Sequence, residues 1–132
     1  MPALASSVKQ GSEIMLVMIV TMLVAIEHIG IMLLEIFASP DRQARAFDVS
    51  LEYAKQPAAR ISFANQGIYN GALGLAMIIS NWLFTGATLI LVWQMFLVFI
   101  MVVALFGGFT ATKKIWGLQF LPAVIAFVLT LI

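Results

Sequence analysis

Apolar positions in this chain come in long runs rather than in the short alternations of a water-soluble fold. From Ile14 to Phe37 the sequence reads IMLVMIVTMLVAIEHIGIMLLEIF, with Glu27, His28 and Glu35 as its only ionisable positions. A helix crossing a ~30 Å hydrocarbon core needs about 20 residues at ~1.5 Å rise each, so this run predicts a first span. Ile61 to Thr112 carries no charged residue at all. As one helix it would extend roughly 78 Å, far more than a single crossing, so it must fold back. Ser80, Asn81, Thr85 and Gly86 mark the turn by their polar and small side chains. Spans of about 61–83 and 87–109 result, and Lys113 and Lys114 separate them from a last apolar stretch at 115–132. The pattern predicts an all-α protein, a four-helix transmembrane bundle in one domain covering residues 1–132.

Between the first and second spans lies the one substantial polar segment, ASPDRQARAFDVSLEYAKQPAAR at 38–60. Ser39 before Pro40 and Asp41 is a helix start, and Ala44, Phe47, Leu51 and Ala54 recur at helical spacing. A short amphipathic surface helix ended by Pro57 is therefore predicted. Four antiparallel spans place Arg42, Arg45, Lys55, Arg60, Lys113 and Lys114 on one side and only Lys9 on the other. That bias assigns the loop to the cytoplasm and both termini to the outside, the expected setting being a bacterial inner membrane. The first apolar run is longer and more acidic than the core of a cleavable signal peptide, so that helix is expected to stay attached.

Composition sharpens the picture. Of 132 residues 63% are hydrophobic and only 10% charged, with a mean hydropathy of +1.08. Soluble domains carry about 45–50% apolar and about 25% charged residues, so this chain lacks the means to cover a water-facing surface. Seven basic against six acidic residues leave a net charge of +1, too little for a nucleic-acid partner held by phosphate neutralisation. No Cys and a single His exclude disulfides, thiolate chemistry and a multi-histidine metal site within one chain.

An ionisable residue at membrane depth costs about 2.5–3.5 kcal/mol on insertion scales, so Glu27, His28 and Glu35 need partners and a reason. His28 and Glu35 lie two turns apart, roughly 20° from alignment, and share a face; Glu27 lies about 100° to the side. The second span opens with a polar strip in which Gln66 and Asn70, and likewise Asn65 and Tyr69, are i, i+4 neighbours. His28 and Asn70 are both about 14 Å from the cytoplasmic ends of their helices, so antiparallel packing predicts that they lie level. Gly67, Gly71 and Gly74 supply the small-residue spacing that lets membrane helices approach closely. The candidate ligand-binding set is Glu27, His28, Glu35, Asn65, Gln66, Tyr69 and Asn70. Buried amides also act simply as interhelical glue, worth about 0.6 kcal/mol each, and Arg60 is a second partner for Glu35. The crowding of these groups into one half of two helices favours a site, since glue would spread evenly. A metal would require Glu27, Glu35 and His28 to combine, so no metal ligand is assigned. Trp82, Trp93 and Trp116 are read as interface anchors or core.

At EHIGIMLLE, NQGIYNGAL and GLQFLPA the sequence resembles a family of small bacterial and fungal four-helix membrane proteins catalogued as domain of unknown function 1304. The resemblance runs from about residue 20 onward, leaves the first dozen residues outside the pattern, and implies the fold but no activity or cofactor. A weaker likeness, through Arg60 and Asn65, is to the membrane-associated glutathione-transferase and eicosanoid-synthase superfamily, although Ile68 stands where that family carries Glu. Sterol-isomerase-like membrane enzymes are similar in residue types alone. Three functions follow as expectations. The first is small-solute or proton-coupled transport, or ligand binding, at the Glu/His/Asn/Gln cluster. The second is an intramembrane enzyme acting on a lipid-soluble substrate, with His28 and one Glu as acid and base, and the third is a structural subunit of a membrane complex. The lipid bilayer, a small polar or lipid-soluble ligand and further copies of the chain are the expected partners.

Overall fold

The computed structural model describes the backbone of residues 2–132 and the side chains from residue 10 onward. Lys9, which enters the charge count, lies outside the described side chains. The chain is all-α. Helix α1 spans Pro2–Phe37, α2 Pro40–Phe47, α3 Leu51–Lys55, α4 Pro57–Leu83 and α5 Gly86–Thr110; a π-helical turn over Trp116–Phe120 then leads into α6, Leu121–Leu129. Helices α1, α4, α5 and α6 form a ring in which each packs on the next, and α1 also meets α4 in the most extensive contact of the fold. Val24, Ala25, Met77, Leu97, Ile100, Ala123 and Ala126 make the core. Outside it, large apolar side chains such as Leu23, Ile68, Met95, Phe106 and Phe109 are exposed.

Among the described residues two helical segments, Gln10–Phe37 and Gly86–Thr110, are long and apolar enough to cross a membrane. Helix α4 has 27 residues but spends its first turns on Arg60, Ser62 and the amide strip. Trp116–Leu129 is a shorter apolar helical stretch within the apolar run at 115–132.

In the polar loop the structure departs from the single surface helix. Two short helices form instead, because Asp48 adopts the left-handed conformation (φ 53°) and ends α2. Ser39 accepts from the Arg42 N–H as expected, and Ser50 starts α3 in the same way by accepting from the Tyr53 N–H at 3.1 Å. Pro57 does more than end α3: it is the first residue of α4, where its missing N–H costs nothing. Stacking of Phe47 on Phe63 (5.0 Å) and of Tyr53 edge-on to Phe63 (6.3 Å) lays the loop against α4. Asp48 then ties the loop to the α5–α6 turn, with its carboxylate on Lys114 Nζ (2.6 Å) and on the Thr112 hydroxyl. The Lys114 and Thr112 hydrogen bonds hold the Asp48 carboxyl below the usual carboxylate range. Lys114 also donates to the Arg45 carbonyl at 2.7 Å.

At the other end of the bundle Gly86 (φ 57°) turns the chain from α4 into α5, and the Trp93 indole N–H donates to Ser80 Oγ at 3.1 Å. Trp93 is core, 1% exposed.

Glycine sets the α1–α4 distance. A Cβ built on Gly74 would lie 2.5 Å from the Ala25 carbonyl oxygen, and one on Gly67 would lie 3.2 Å from the Met32 carbonyl oxygen. At Gly71 the nearest obstacle is the flexible end of the Met32 side chain. Gly74→Ala is therefore expected to destabilise by about 1–3 kcal/mol, because backbone must move. Gly71→Ala should stay within about 1 kcal/mol of the parent, since Met32 can swing away and alanine improves helix propensity. Thermal melting in detergent separates the two; equal losses would contradict this reading of the interface.

Candidate functional site

The antiparallel register follows from the glycine contacts, with Gly74 against Ala25, His28 and Ile29, Gly71 against Met32, and Gly67 against Glu35 and Ile36. This corrects the depth estimate. His28 is level with Gly74, and Asn70 is about one turn further along, where its Nδ2 donates to Glu35 Oε2 at 2.8 Å. The displacement arises because the glycines, not the helix ends, decide how the helices slide together.

His28 is 2% exposed, on the α4-facing side of α1. Its Nδ1 lies 2.9 Å from the Val24 carbonyl oxygen one turn back. A carbonyl only accepts, so in the neutral ring Nδ1 carries the hydrogen and Nε2 keeps its lone pair. His28 forms part of the lining of a cavity of about 450 Å³ among α1, α4, α5 and the π-helical turn. The other polar lining residues are Gln66, Tyr69, Asn70 and Gln119, against Leu73, Phe99, Ile100 and Val103. Tyr69 and Phe99 are exposed at its mouth (68% and 56%), so the cavity opens sideways between α4 and α5.

Gln119 is the lining residue that sequence reasoning missed. It lies on the π-helical turn, where the Leu121 N–H reaches back to the Trp116 carbonyl. Pro122 follows directly, and a proline inside a helix clashes with the carbonyl four residues earlier, which a wider turn relieves. The Trp116 side chain packs into the space left by Gly108, and its indole N–H donates to the Leu105 carbonyl at 3.2 Å. GLQFLP in the sequence was the available signal: a glutamine just before a helix-interior proline.

The remaining candidates separate. Glu35, 6% exposed, lies behind Asn70 rather than on the cavity wall. Glu27 faces a second, apolar groove of about 310 Å³ between α1 and α6, lined by residues that include Val20, Val24, Leu121 and Pro122. Asn65 is exposed and outside the cavity. Among the described residues no three of His, Asp or Glu gather as a metal-binding group, so Glu27, His28 and Glu35 do not combine.

Arg60 does not meet Glu35 either. Gln43, 1% exposed, stands between them: its Oε1 accepts from Arg60 (3.2 Å), and its Nε2 donates to the carbonyls of Leu34 (3.2 Å) and Glu35 (2.8 Å). Both carbonyls belong to the last turn of α1; that of Leu34 also accepts from the Ala38 N–H at 3.3 Å, whereas Gln43 supplies the Glu35 carbonyl with a donor that the ending helix does not. The engagement of Arg60 by Gln43 and the exposure of Asn65 give the two no common partner, which leaves the glutathione-transferase likeness without support.

This is a buried histidine in a largely apolar cavity of an all-α chain, and the chain belongs to the family described as "Protein of unknown function (DUF1304)", matched over residues 22–131. It is 40% identical over 101 residues, 76% of this chain and 83% of the relative, to the uncharacterized protein YpaA of Lactococcus lactis subsp. lactis (strain IL1403). No solved structure matches.

Replacing Gln43 with leucine should strand the Glu35 carbonyl and take a partner from the Arg60 guanidinium. Gln43→Leu is expected to cost about 1–3 kcal/mol. An unchanged melting temperature would show that the Gln43 contacts are replaceable by water.

Proposed function

We propose that this is an integral membrane protein, its helices α1, α4 and α5 and the C-terminal stretch crossing the plasma membrane with the Arg42–Arg60 loop cytoplasmic, and that it binds a lipid-soluble ligand in the His28 cavity. The observation that carries the reading is the imidazole held inside the cavity with Nε2 uncommitted. A largely apolar pocket with a few convergent polar groups is the usual form of a small-molecule site, and about 450 Å³ falls within the common range of roughly 300–1,000 Å³. The sideways opening suits entry from the bilayer better than passage of a small solute through the bundle. No carboxylate shares the cavity with His28, which favours binding over acid–base chemistry by a His–Glu pair.

The His28 hydrogen bond itself holds up little of the fold, because the Val24 carbonyl it contacts is also an acceptor in the α1 ladder, although the buried ring packs at the α1–α4 contact. His28→Ala is expected to abolish retention of a copurifying lipid-soluble molecule, read by mass spectrometry of the purified protein, while the protein stays folded with a loss of about 1–3 kcal/mol from the truncated ring. Full retention in a destabilised variant would make His28 structural. For topology, Cys placed at exposed Glu52 should resist a membrane-impermeant thiol reagent on intact cells, whereas Cys at exposed Thr85 should be modified. The opposite pattern would invert the orientation.

A further inference from the structure

The polar groups deepest in the cavity are already half committed, and their commitments decide what they offer a ligand. His28 uses Nδ1 on the Val24 carbonyl, which leaves Nε2 as an acceptor. Asn70 uses its NH₂ on Glu35 Oε2 at 2.8 Å, which leaves Oδ1 as an acceptor. Glu35 is thus a positioning residue: its Oε2 takes the Asn70 Nδ2, which turns the other end of the amide away from it. Two fixed acceptors thus line the cavity, while among the described residues Gln66, Tyr69 and Gln119 have no hydrogen bond tying them to one orientation and can adapt. No charged side chain lines the cavity.

Resting on the reading of this cavity as a ligand site, we infer that its occupant carries an uncharged hydrogen-bond-donating head, a hydroxyl, on an apolar chain. The hydroxyl donates to His28 Nε2 or Asn70 Oδ1, and the chain lies along Leu73, Phe99, Ile100 and Val103 toward the opening between α4 and α5. A carboxylate would bring lone pairs against two acceptors. An ammonium would lose its hydration with no anion lining the site to compensate. A long-chain alcohol meets neither penalty.

The test compares dodecanol, dodecanoic acid and dodecylamine, each bearing a photoreactive diazirine in mid-chain, on the full-length protein in detergent at neutral pH. Labelled peptides are mapped by mass spectrometry. Dodecanol should label the α4 and α5 segments around Leu73 and Val103 at concentrations about tenfold or more below the other two, the scale of one well-made hydrogen bond. Val103→Trp, which adds bulk at the cavity wall and leaves the His28 and Asn70 side chains in the sequence, should remove that labelling. Labelling by the acid or the amine as strong as by the alcohol would overturn the hydroxyl-head inference while leaving the cavity a ligand site. If no probe labelled these segments, or if labelling were unchanged in Val103→Trp, the binding reading itself would fall.

Discussion

The close approach of α1 and α4 is the constraint on which the site depends. With a Gly74 Cβ position 2.5 Å from the Ala25 carbonyl oxygen, the two backbones are nearer than any side chain would allow. In lipid, helix association has little hydrophobic drive and relies on such close packing and on interhelical hydrogen bonds. The glycine stripe therefore does two things together. It brings the helices into contact, and it admits one register in which Gly67, Gly71 and Gly74 all meet their gaps. That register carries Asn70 to Glu35 and leaves the His28 ring beside α4, where the cavity opens.

The polar loop completes its end of the bundle by occupying groups that the helices leave open. Gln43 satisfies carbonyls of the last α1 turn and holds Arg60, so a guanidinium from α4 reaches α1 through an amide rather than as an ion pair with Glu35. Asp48 does the corresponding work on the other flank, binding Lys114 and Thr112 between α5 and the π-helical turn. Its depressed carboxyl keeps the charge that this contact needs across the neutral range. Two short helices are used in place of one because the left-handed residue between them turns the Asp48 side chain toward that partner.

Helix geometry on the far side is bent to the same end. Pro122 removes a donor from the ladder, the turn before it widens, and Gln119 comes onto the cavity wall. The result is asymmetric around α1: a largely apolar cavity carrying several polar side chains on the His28 side and an apolar groove on the Glu27 side, from adjacent residues about 100° apart on the helix.

Sequence periodicity and composition by themselves determined the helical class, the break between α4 and α5 just before Gly86 and the α1–α4 glycine contact, because each is written in local pattern, whereas Ser80 and Asn81, read as part of that turn, lie inside α4 and α1 begins at Pro2 rather than at 14. They also marked His28, Gln66, Tyr69 and Asn70, since polar groups stand out in an apolar helix. What tertiary structure alone decided was which of them meet. Glu35 went to Asn70, and Asn65 and Glu27 to other surfaces. Gln43, read as part of a surface helix, became a buried connector, and Gln119 entered from a turn whose widening depends on a proline. Register along a helix pair is set by where small residues let backbones touch, and one turn of sliding exchanges every partner; counting from helix ends cannot resolve that turn, whereas packing can.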